Sequence, residues 1–164
     1  MGKHANRLQK ETIIFVAFAL LSAAGLYWAL SGNVVACIKG DTSEHLQKTV
    51  QALNETIELG IKLSVTAIGG GIALLLGFKT NLLLSKPAQI TLLMAILLFG
   101  QSALLGVFWR LRLANAWLNE CLNLVYEGGM QNTFNGSLYY FGTGVAVALI
   151  MVLFLSHSNK EKIK

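Results

Sequence analysis

The chain has 164 residues, of which 54% are hydrophobic and 13% charged, with a formal net charge of +5. Soluble proteins carry about 25% charged residues, and the mean hydropathy here is +0.58. Composition therefore excludes an ordinary soluble domain and predicts a membrane protein.

Four predominantly apolar runs follow one another: 12–31, 59–78, 88–108 and 138–156. Each is about 20 residues, enough at about 1.5 Å per residue to cross a hydrocarbon core of about 30 Å. The predicted fold is all-α, a single polytopic four-helix membrane bundle over 1–164, with outer segments at 32–58 and 109–137.

Met1–Glu11 is short, polar and basic. The apolar run that follows is too long for a signal peptide and ends without a convincing cleavage site. Val34-Val35-Ala36-Cys37 resembles a lipoprotein box, but Ser31-Gly32-Asn33 separate it from the apolar run, so lipidation is not expected. Next, Leu46, Val50, Leu53, Ile57 and Ile61 recur at helical spacing, which predicts an amphipathic helix. Thr42 or Ser43 can cap it. No breaker divides it from the second run, so one helix is expected over 43–78, projecting about 20 Å beyond a bilayer.

The second run contains Gly69-Gly70-Gly71. Such glycines weaken a helix in water but permit close helix approach in lipid. Gly69, Gly70, Gly71, Ala73 and Gly77 form the first predicted packing seam, and Gly142 and Gly144 belong to a second in the fourth run. After a turn at 81–85, Ser85 and Pro87 start the third helix. Its apolar stripe continues through Leu111, Leu118, Leu122 and Val125, so a stop is expected only at Gly128-Gly129, followed by a polar loop over 130–136. The second and third helices would then stand out of the bilayer as an antiparallel hairpin.

Four spans put both termini and the 79–87 connection on one side. That side carries +6 and the other −1, so the positive-inside rule makes both termini cytoplasmic. Tyr27, Trp28, Trp109, Tyr139 and Tyr140 fall at the opposite ends of their runs, where interfacial aromatics belong. The basic tail 160–164 reads as a topology signal, and direct nucleic-acid binding is not expected. A bacterial inner membrane is the expected location.

Cys37 and Cys121 both lie in outer segments and are expected to form an intramolecular disulfide. A thiol–quinone oxidoreductase would require a C-x-x-C pair, which is missing. His4, His45 and His157 lie outside the apolar runs and are too dispersed for a metal or haem site. The ionisable residues nearest the hydrocarbon are Glu58, Lys62, Arg110 and Arg112, expected as interface charges. Glu58 and Lys62 have the favourable i,i+4 order, and Arg110 and Arg112 are expected as interfacial anchors, with pairing to Glu58 or Glu55, or a ring of charge in an oligomer, as the alternatives. Ser64, Thr66, Gln101, Ser102 and Thr143 are expected to hydrogen-bond between helices. Asn54-Glu55-Thr56 and Asn135-Gly136-Ser137 match the glycosylation pattern, which matters only in a eukaryotic source.

No nucleophile–base pair, metal cluster or phosphate loop appears, so neither an enzyme nor a cofactor is expected. Two classes of function remain. One is a sensor, scaffold or accessory subunit that self-associates in the lipid bilayer and couples its outer hairpin to a cytoplasmic protein partner. A bacterial stress, secretion or phage-defence complex would house it. The other is a small homo-oligomeric channel, whose lining would be Ser64, Thr66 and glycine.

Overall fold

The computed structural model describes the backbone of residues 2–31, 44–76 and 86–161, with side chains over 13–29, 31, 44–76, 86–121 and 124–153. Four α-helices occur in these residues: α1 (Gly2–Leu30), α2 (Glu44–Leu75), α3 (Lys86–Leu118) and α4 (Gly128–Glu161). A short 3-10 helix, Leu122–Tyr126, joins α3 to α4. The described fold is all-helical. Three helical segments are long and apolar enough to cross a membrane: α2, α3 and Gly128–Leu153 of α4. The described apolar stretch of α1, Ile13–Ala29, is shorter. These lengths support membrane association, since in lipid a helix satisfies its own backbone groups.

Helices α2, α3 and α4 pack antiparallel in sequence, each through a stripe with alternating three- and four-residue steps. In α3 the stripe is Ala88, Leu92, Ala95, Phe99, Ser102, Gly106, Trp109, Leu113 and Ala116. Each of these is buried. In α4 it runs through Met130, Thr133, Ser137, Tyr140, Gly144, Val147 and Met151. Such spacing keeps a seam facing a neighbouring helix. Near the start of α2, Leu46, Val50 and Ile57 pack on Trp109 and Leu113 of α3, joined by Val125 and Met130. At the other end of α3, Ala88 and Leu92 meet Met151. Helix α1 lies against α3 and α4, where Ala29 joins Leu98, Leu105 and Tyr140.

The structure corrects two boundaries. Helix α3 ends at Leu118, not near Glu127. Glu120 has a φ of 57°, and its N–H bonds Trp117 O at 3.2 Å while Cys121 N–H bonds Ala116 O at 2.8 Å. This pair of backward bonds around a left-handed residue is a Schellman stop, made here with glutamate in the position glycine usually takes. The expected polar loop over 130–136 is helical. Glu127 is extended, and its carbonyl accepts from Met130 N–H and Gln131 N–H at 3.0 and 2.9 Å. Gly128-Gly129 therefore opens α4 instead of closing α3.

Candidate functional site: polar contacts between the helices

A polar node joins the three central helices at mid-length. Ser64 of α2 donates to Ser102 Oγ at 3.4 Å, and Ser102 donates to Ser137 O at 2.8 Å. Ser137 returns a bond to Ser102 O at 2.9 Å. All three serines are buried. Each hydroxyl finds a partner, which an apolar interior requires.

Above it in sequence, two arginines on α3 face different neighbours. Arg110 bridges to α2, donating from Nε to Asn54 Oδ1 at 3.1 Å and from Nη2 to Glu58 Oε2 at 3.0 Å. Glu58 also pairs with Lys62 at 2.7 Å. Lys62 chiefly, with Arg110 second, holds the Glu58 carboxyl below the usual carboxylate range. Arg112 instead crosses to the first turns of α4, donating to Gly129 O at 2.9 Å and Thr133 Oγ1 at 3.2 Å. A cavity of about 280 Å³ borders Arg112, Asn115, Asn119 and Glu127 at this end.

A second polar set docks α1. Tyr140 donates to Ser22 O at 2.7 Å, and Gln101 Nε2 donates to Ser22 Oγ at 3.0 Å. Thr133 reaches Ala29 O at 3.2 Å. Gly25 stands against the Tyr140 hydroxyl so closely that a Cβ would displace it. The other amide atom, Gln101 Oε1, is buried without a hydrogen-bond partner among the described residues.

No protein-family model, curated protein or solved structure matches this chain. What the molecule does must be argued from its own geometry.

The predicted site residues divide accordingly. Ser64, Gln101 and Ser102 bond between helices, but Thr66 and Thr143 do not. Both donate to carbonyls of their own helices, Lys62 O and Tyr139 O, each at 2.8 Å. Gly71 meets Ile96 of α3, where a Cβ would come within 2.9 Å, and Gly144 meets Phe99. Gly69, Gly70 and Gly142 have open space where a Cβ would stand, and Ala73 is exposed. Gly77 and Cys37 lie outside the described residues, as do the side chains of His4 and His157. Cys121 is buried and is not a free thiol. It follows the end of α3 instead of sitting within that helix. Among the described residues, no group of three or more His, Cys, Asp or Glu could hold a metal ion.

Sequence reasoning missed Ser22, Gly25, Gly106 and Thr133, and it read Tyr140 as an interfacial aromatic and Gly136 and Ser137 as part of a glycosylation pattern, whereas Tyr140 and Ser137 are buried between helices. Thr133, Ser137 and Tyr140 were legible in principle, because they continue the stripe from Met130. Their polarity hid the period. Gly106 touches Ile61 of α2, where a Cβ would approach within 2.8 Å. Its signal was its place four residues after Ser102 and three before Trp109.

Proposed function

We propose that this chain is a non-enzymatic integral membrane subunit, acting as a sensor, scaffold or accessory component. It self-associates and couples an outer helical hairpin to a cytoplasmic protein partner. In this reading the four helices form a membrane bundle of a bacterial inner membrane with both termini cytoplasmic. The start of α2 and the end of α3 project outward as the hairpin, and Cys37 pairs with Cys121 to hold the first outer segment against it.

The observation that carries the proposal is how the polar and small residues of α2 are divided. Ser64 is spent inside the chain, in the node with Ser102 and Ser137. Gly69, Gly70 and Ala73 face outward with no neighbour at either glycine Cβ position. An outward face of small residues in an apolar helix suits close approach by another helix. Folding of the single chain does not require those glycines, whereas assembly would use them.

The test is the mass of the complex released gently from its native membrane, with every co-purifying protein identified. A multiple of the chain mass bound to a partner at fixed ratio is the expected result. A closed homo-oligomer without a partner would replace this reading with the channel, and conductance would then be measured. A monomer without a partner would overturn both.

A further inference from the structure

Helices α1 and α4 meet at two levels, through Tyr140, which donates to Ser22 O, and through Thr133, whose hydroxyl lies 2.8 Å from Gly129 O of its own helix and 3.2 Å from Ala29 O. The Ser22 and Ala29 carbonyls are about two helical turns apart. Between the ties the residues that face one another are small: Gly25 and Ala29 on α1, and Gly136 on α4. A Cβ on Gly136 would come within 3.0 Å of Ala29 Cβ, so the backbones are close there but no large side chain fills the flank. A crevice of about 310 Å³ results, walled by Trp28 and Tyr139, with Asn135 toward the start of α4.

The crevice opens on an apolar outer face. Trp28 is 65% exposed, Tyr139 70% and Tyr27 77%. Leu20 and Leu21 on α1 and Leu149 and Leu153 on α4 are also exposed. Aromatic rings of this kind concentrate where lipid chains meet head groups. Ligand sites typically measure about 300–1,000 Å³ and combine apolar walls with a few placed polar groups. The polar groups of the lining are Asn135, the indole N–H of Trp28 and the hydroxyls of Tyr139 and Tyr140; the last already serves Ser22, and the other three side chains are exposed at the rim. That leaves little to recognise a polar solute.

We infer that the crevice between α1 and α4 holds one acyl chain of a membrane phospholipid, entering between Trp28 and Tyr139 with its glycerol end toward Asn135. The site depends on insertion of the chain in a membrane, and not on the subunit role proposed above.

The experiment reconstitutes the full chain in vesicles of phosphatidylethanolamine and phosphatidylglycerol. A small fraction of the phospholipid carries a photoreactive diazirine in its acyl chain, and labelled residues are mapped by mass spectrometry. Labelling of segments 25–29 and 135–140 should exceed that of Leu20, Leu21, Leu149 and Leu153 several-fold. Trp28→Ala combined with Tyr139→Ala should remove that excess, while Leu149→Ala should leave it. Both Trp28 and Tyr139 are exposed, and unchanged thermal unfolding would confirm that the double variant folds. Even labelling of all outward residues would overturn the site, because it describes only the annular lipid. Photoreactive groups placed at Trp28 and Tyr139 that capture a second copy of the chain instead of lipid would overturn it too. If the double variant fails to fold, the distribution of label on the unaltered chain decides the matter.

Discussion

Glu120 is the residue at which local preference and tertiary demand disagree most. Its φ of 57° is a left-handed conformation that costs a side-chain-bearing residue about 1–2 kcal/mol. The cost is accepted because reversal at this point buries Cys121 and directs Val125 into the cluster with Trp109 and Leu113. Glu120→Gly should therefore stabilise the protein by about 1 kcal/mol in thermal or denaturant unfolding in detergent. Destabilisation would show that the carboxylate makes a compensating contact. Gly25 has the opposite requirement. A methyl group there displaces the Tyr140 hydroxyl from Ser22 O, and overfilling a packed site costs about 1–3 kcal/mol. Gly25→Ala should loosen α1, detected as faster proteolysis between α1 and α2, whereas Tyr140→Phe with Gly25 retained should have the milder effect of one lost hydrogen bond.

At the scale of helices, the glycines of α2 and α3 have separable duties. Gly71 and Gly106 let side chains of the partner helix reach the backbone, Ile96 on one side and Ile61 on the other. Gly106→Leu should lower the unfolding temperature of the single chain in detergent, because Ile61 has nowhere to go without separating α2 from α3. Gly70→Leu should leave that temperature unchanged and reduce only the self-associated fraction. If the two substitutions lower chain stability equally, the outward assignment of Gly70 fails. The paired ends of α2 and α3 also respond to acid. The Glu58 carboxyl is held below its ordinary range by Lys62 and Arg110. Its contribution is complete above the unfolded carboxylate pKa and is lost as pH falls through the lowered folded value. Acidification across that interval should increase amide exchange at residues 54–62. Glu58→Gln should abolish the pH dependence.

For the whole molecule, α3 is the centre, because α1, α2 and α4 all pack on it. Apolar residues lie all round it: one face packs on the neighbouring helices, whereas Leu93, Leu104, Leu111 and Leu118 are exposed on the other, as suits a helix whose outer face meets lipid. The three-serine node and the Ser22–Gln101–Tyr140 set lie on different sides of this helix and hold different partners. The first fastens α2 and α4 to α3, and the second fastens α1. Breaking Ser137 by substitution with alanine should therefore weaken the α3–α4 contact while leaving the proteolytic accessibility of α1 unchanged. Increased cleavage after α1 in that variant would show that the two sets act as one.

How much of this was legible in the sequence differs from helix to helix. The existence and approximate position of α2 were fixed by Leu46, Val50, Leu53 and Ile57 at helical spacing, together with the long apolar run behind them. Hydropathy and length alone determined that the chain is helical and suited to a membrane, because a bilayer leaves a backbone few ways to satisfy its own polar groups. The end of α3 was not legible. Its apolar stripe continues past Leu118, and a glutamate in a left-handed cap has no local signature, so only the packing of Cys121 and Val125 decided it. The first turns of α4 were hidden for the complementary reason. Thr133 and Ser137 look like loop residues until Arg112, Ala29 and Ser102 stand opposite them. Sequence patterns report which faces are apolar, whereas the partner of each polar or glycine residue depends on which helices come together, and that was decided by tertiary structure alone.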